Sequence, residues 1–138
     1  MEKDTLMMAQ QVAKVAGAFQ QQMTGHPPKV VAVVLSGDTL VITLHDALTP
    51  AEQALSKSAE GAAKVQEFHR RLFANSVAPL RQEIRKITGM DVSEAASEIE
   101  TASGTVVHAF TNGTVVQVFL LAESALEGAK SGKEEGAK

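Results

Sequence analysis

Four histidines, His26, His45, His69 and His108, are the side chains of this 138-residue chain best suited to proton or metal chemistry near neutral pH. Holding an ion requires His, Asp or Glu side chains to converge. His45 and Asp46 are adjacent, and on a strand adjacent side chains point to opposite faces. His69 has Phe73 four residues on and Glu67 two residues back, so no two-histidine helical metal face surrounds it. His45, His108 and one helical residue make a three-ligand site only if both strands present the same sheet face. The plainer reading is surface or interface histidines.

Other reactive groups are placed no better. None of the serines sits in a GxSxG strand-to-helix elbow. Glu94, Glu98 and Glu100 have the even spacing that lines one face of a strand, which would suit a carboxylate acid/base pair. The same spacing describes the solvated side of an edge strand, with Val92, Ala95 or Ile99 packed inward. No GxxxxGK[ST] loop or dinucleotide fingerprint is present. The chain has no cysteine, which removes disulfides, thiolate metal sites and cysteine nucleophiles together. No catalytic residue, metal or cofactor is expected.

The elements that must position these groups are legible in the pattern. Leu6, Ala9, Val12, Ala16, Phe19 and Met23 recur at helical spacing and predict an amphipathic helix over residues 3–24, stopped by Gly25 and Pro27-Pro28. Gln20 and its glutamine neighbours fall mostly on the other side. Residues 29–35 and 39–45 read as two strands joined through Ser36-Gly37-Asp38. The first has no polar face, which predicts a strand that is central or covered on both sides.

Leu48-Thr49-Pro50-Ala51-Glu52 is the clearest local signal. Thr49 is an N-cap, Pro50 occupies the first helical position, and Glu52 can close a capping box. Helical periodicity then continues to Thr88 and stops at Gly89. Residues 50–88 as one straight helix would reach about 58 Å at 1.5 Å per residue. That exceeds a domain of this size, so a kink or break is expected near residues 75–79, where Pro79 removes a hydrogen bond. A straight helix would need a partner chain to cover its overhang. Residues 91–100, 105–110 and 114–121 read as strands, the last two joined at Asn112-Gly113. The fold class is α+β, a two-layer sandwich: N-terminal helix, β-hairpin, long kinked helix or helix pair, then two to three antiparallel strands. Residues 1–122 form a single domain on this reading. Residues 123–138 are a low-complexity charged tail whose composition predicts disorder.

Composition narrows function further. Aromatics are 4% of residues, with no Tyr or Trp, so stacking of nucleic-acid bases has little to use, and Phe19, Phe68, Phe73, Phe110 and Phe119 fall mostly on predicted buried faces. A formal charge of -3 argues against nucleic acid as a partner. No apolar run approaches the roughly 20 residues of a membrane span. The opening MEKDTLMMAQ lacks the compact apolar run of a signal peptide. Charge is unevenly placed: the helical region carries Lys57, Lys64, Arg70, Arg71, Arg81, Arg85 and Lys86, and the strand after it is purely acidic. The basic surface suits an acidic partner, or is simply a solvated helix face with intrahelical pairs such as Glu60–Lys64 and Glu67–Arg71.

The order DALTPAEQAL, VQEFHRRLF, PLRQEIRKITGMDV and GTVVHAFTNGTVVQVFLL resembles the MpsC-type domain of the sodium-translocating membrane-potential-generating system. The resemblance runs from the first helix through Leu121. It implies a small soluble accessory to a membrane system of sodium or inorganic-carbon uptake, and it carries no catalytic residue. The expected protein is therefore a non-enzymatic, cytoplasmic interaction domain and a homodimer, partner to a membrane transporter subunit, without nucleic acid or membrane insertion. Candidate partner or ligand contacts are Arg70, Arg71, Arg81, Arg85, His45 and His108. The alternative is a small-ligand or anion sensor with a pocket between sheet and helices near His45, His108 and Arg70.

Overall fold

Valine-rich and alternating segments pair, and two amphipathic helices cover one side of the result. The computed structural model describes residues 2–36 and 39–111. In chain order these are α1 (Glu2–Thr24), β1 (Val30–Ser36), β2 (Thr39–His45), α2 (Pro50–Leu55), α3 (Ala59–Thr88), β3 (Glu94–Glu100) and β4 (Thr105–Thr111). The turn at Gly37-Asp38, the Asn112-Gly113 hairpin, the strand expected over 114–121 and the tail all lie outside the described residues. The architecture is the expected α+β arrangement.

The sheet is antiparallel throughout, in the order β1-β2-β4-β3. Pairing sets Val33 beside Ile42, Ile42 beside His108, and His108 beside Ser97. These residues share the face that α1 and α3 cover. There Val12 and Ala16 of α1, Leu80 and Ile84 of α3, and Leu40, Ile42, Leu44, Val106 and Phe110 of the sheet form one core. Full burial of each large member contributes about 1.5–3 kcal/mol. On the opposite face burial declines across the sheet. Val107 and Ala109 of central β4 are buried, Val41 of β2 is half-buried, and Val30 and Val34 of β1 are 51% and 61% exposed.

β1 is therefore an edge strand with one open face among the described residues, rather than the interior strand its valines predict. A strand without polar residues satisfies the sequence pattern of burial on both sides, but strand order is decided by pairing across the chain. Among the described residues β3 is the other edge, as expected. Glu94, Glu98 and Glu100 alternate with Ala95, Ser97 and Ile99, and Ile99 and the preceding Val92 pack against the core, whereas Ala95 is exposed.

The long helical run does divide, but at residues 56–58 instead of 75–79. Ser58 caps α3, its hydroxyl accepting from the Gly61 amide at 3.0 Å, while the Lys57 and Ser58 amides turn back to Ala54 and Leu55 carbonyls. The corner is tight at Gly61, where a β-carbon would lie 1.8 Å from the Leu55 carbonyl oxygen. α3 then runs 30 residues, about 45 Å at 1.5 Å each, with Pro79 inside it and Gly89 in the left-handed conformation (φ 77°) ending it. Pro79 lies on the exposed side, whereas Leu80 and Ile84 are buried. The helix continues through Pro79 without a break, with water able to reach that side and the buried side packed in the core. α1 also departs from its pattern: Leu6 is 65% exposed, while Gln20 is buried and its amide nitrogen finds no partner among the described residues.

The corner at Gly61 makes a direct test. Gly61→Ala forces the α2–α3 junction apart and lowers unfolding free energy by about 1–3 kcal/mol, as overpacking does. Urea unfolding measures it. An unchanged midpoint would show that the junction relaxes freely.

Candidate functional site

The capping box expected at Thr49 forms, and it does more than start a helix. The Thr49 hydroxyl accepts from the Glu52 amide at 3.1 Å, and the Glu52 carboxylate accepts from the Thr49 amide at 2.9 Å. Its second oxygen, Oε2, takes a hydrogen bond from His69 Nε2 on α3, also at 2.9 Å. Glu52 is 8% exposed and His69 5%. One buried carboxylate thus satisfies the start of α2 and fastens α2 to α3. The sequence reading missed this pair because Glu52 and His69 are 17 residues apart, on helices whose relative angle no local pattern encodes. The only trace was the 3.6-residue phase, which puts His69 on the same side of α3 as buried Val65.

His108 lies nearby on the helix-covered face of β4. Its ring stacks on Phe73 of α3, with centroids 4.7 Å apart and planes 19° apart, and its Nδ1 meets the Ser97 hydroxyl at 3.0 Å. Burial, and secondarily the neighbouring His69, pushes its pKa down to about 4. The Ser97–His108 contact has the outline of a nucleophile and base, but a histidine of that pKa is a weak base at neutral pH.

His45 sits on the opposite face. Leu44 pairs with Val106 and Ile42 with His108, so the next residue along β2 turns away from the helices. His45 and His108 therefore share a sheet but no site. His26 is apart from both, its ring reaching the Asp46 carbonyl at 3.3 Å. Among the described residues no group of three His, Asp or Glu side chains could hold a metal ion.

The candidate arginines divide by role. Arg70 and Arg71 are exposed and both bond to Glu67, at 3.1 and 3.3 Å. Arg81 turns inward, donating to the Val92 carbonyl through Nε and Nη2 at 3.1 and 2.6 Å. Arg85 pairs with Asp91 at 3.2 Å in solvent. The basic helix and acidic strand are thus stitched together where α3 gives way to β3, and Arg81 is a structural anchor of that passage. Arg70 lies on the outer surface of α3 and does not approach either His45 or His108 as one pocket.

An apolar surface feature lies outside the expected contacts. A cleft of about 310 Å³ opens where the end of α1 meets α2 and α3, lined by apolar Met23, Leu55, Val65 and Phe68, with Glu52 and Lys64 also on its wall. Leu55 and Phe68 are 52% and 46% exposed, although Phe68 belongs to the stripe predicted to be buried. A shallower depression shares Lys64 and Phe68 and adds Glu60, Glu67 and Arg71. Apolar side chains rimmed by both signs of charge are the usual makeup of a protein–protein contact.

A family model described as MpsC, the Na+-translocating membrane potential-generating system, matches residues 5–113. No match is found among curated proteins or among solved structures.

Two measurements probe the buried pairs. Glu52→Ala and His69→Leu each cost about 2–4 kcal/mol, since each removes one partner of a buried pair. The double variant costs clearly less than their sum; additive losses in urea would mean that the contact carries no coupling. For His108, the folded pKa lies below its ordinary 6.5, so the unfolded state binds more protons between pH 6.5 and 4. Stability from this group is present above pH 6.5 and falls with pH by up to about 3 kcal/mol towards pH 4. In His108→Phe that part of the pH slope disappears from melting curves.

Proposed function

Because the chain belongs to the MpsC family of the Na+-translocating membrane potential-generating system, we propose that it is a non-enzymatic cytoplasmic accessory domain. It acts as a homodimer and docks on a membrane subunit of a sodium or inorganic-carbon transport system. The observation that carries this reading is the apolar cleft at Leu55 and Phe68, beside an outer surface of both charge signs built from Glu60, Lys64, Glu67, Arg70 and Arg71. No helix among the described residues is long and apolar enough to cross a membrane. On this reading the membrane-embedded part belongs to another chain, and a cytoplasmic segment of it fills the cleft.

The internal chemistry agrees with a docking role. Glu52, His69 and Arg81 are each engaged in joining one element to the next, and His108 is packed between Phe73 and Ser97. Function is then a matter of the surface these contacts hold in place.

Co-expression with the membrane subunits of its own transport system tests the proposal. The full chain should sediment with membranes when those subunits are present and stay in the supernatant without them. Phe68→Glu, and separately Leu55→Lys, should reduce the membrane-bound fraction at least tenfold while leaving the circular dichroism spectrum unchanged. Equal partitioning with and without the subunits rejects the reading.

A further inference from the structure

The two edges of the sheet are built differently. An open edge presents backbone N–H and C=O groups that can pair with any other strand, and proteins commonly guard such edges with charge, proline or bulges. β3 is guarded: Glu94, Glu98 and Glu100 stand along it. β1 reads VVAVVLS, with no charge and no proline, and all its residues are in unbroken register with β2. Among the described residues its outer side has no neighbour.

We infer that β1 is the surface through which two copies of this chain join, strand to strand and antiparallel, making one continuous sheet of two subunits. The inference rests on the homodimer reading above and names its interface. A two-fold axis through Val33, the middle of the strand, sets Ala32 opposite Val34 of the second copy, Val31 opposite Leu35, and Val30 opposite Ser36. Residues facing the helices then meet residues facing the helices, so each apolar face continues into the other copy. Such a contact is self-complementary, as a two-fold dimer requires.

Charge selects this edge over the other. The same operation on β3, centred on Ser97, would place Glu94 opposite Glu100 of the second copy, a like-charge cross-strand pair that destabilises pairing. On β1 nothing repels. Val34, 61% exposed on the side away from the helices, would gain Ala32 of the second copy as an apolar neighbour across the axis.

Light scattering after size exclusion, on the full chain at tens of micromolar, tests the inference. Wild type should have the dimer mass. Ala32→Lys with Val34→Lys puts like charges opposite each other twice across the axis and should give monomer, with at least a tenfold weaker dimer constant. Ala32→Lys with Val34→Glu puts opposite charges in the same places and should restore the dimer. Both positions are exposed, and circular dichroism checks the fold. As a measurement without substitutions, amide exchange of residues 30–36 should slow as protein concentration rises. A dimer that survives the lysine pair overturns this interface and leaves the homodimer reading standing. A monomeric wild type overturns both. A lysine–glutamate variant that stays monomeric overturns the Val33-centred pairing, and concentration-independent exchange of residues 30–36 overturns β1 as the joining surface.

Discussion

The Glu52 carboxylate is the point on which the arrangement of helices depends. A capping carboxylate ordinarily sits in water and contributes about 1 kcal/mol to the start of one helix. Here it is buried, and His69 supplies the hydrogen bond that its second oxygen would otherwise take from solvent. Neither group tolerates the loss of the other, because an unpaired polar group inside a protein costs more than the pair gains. The short α2 is thereby held against α3 although few residues join the two. Leu55 and Phe68, which flank the apolar cleft, stand on these same helices. The geometry of that surface is set by a contact one layer beneath it.

The rest of α3 is organised by similar attachments along its length. Gly61 lets its first turn approach the end of α2, Phe73 stacks on His108, Leu80 and Ile84 enter the core, and Arg81 holds the chain as it leaves for β3. Phe73, Leu80 and Ile84 use the side of the helix that faces the sheet. The opposite side is left to Glu60, Lys64, Glu67, Arg70 and Arg71, whose mutual pairs are exposed and contribute little to stability. Such a surface is free to serve recognition. Among the described residues the two edge strands differ in the same manner, β3 carrying carboxylates and β1 carrying no charge.

Local chemistry and period determine most of the element boundaries. Thr49-Pro50-Glu52 starts a helix wherever it occurs, Gly25 and Gly89 end helices, and alternation over residues 94–100 yields a strand with glutamates along one side. Belonging to the MpsC family was likewise carried by linear motifs. These features survive in sequence because the interactions behind them span four residues or fewer. A break near Pro79 is what the sequence suggests, yet the helix continues because its other side packs in the core. The corner at Ser58 and Gly61 is illegible because a cap and a glycine are weak signals until their neighbour is known.

What the tertiary structure decided was every question of which element lies beside which. The valines of β1 told of burial but not of strand order, and strand order left them at an edge. The even spacing of sheet residues showed that His45 and His108 each had a face, and only the register placed those faces on opposite sides. Glu52 and His69 each had an unremarkable local role until the angle between two helices brought them together. The physical reason is common to all three. Periodicity fixes the direction of a side chain relative to its own element, whereas a site requires the relative placement of elements, which comes from packing and pairing between residues distant in the chain.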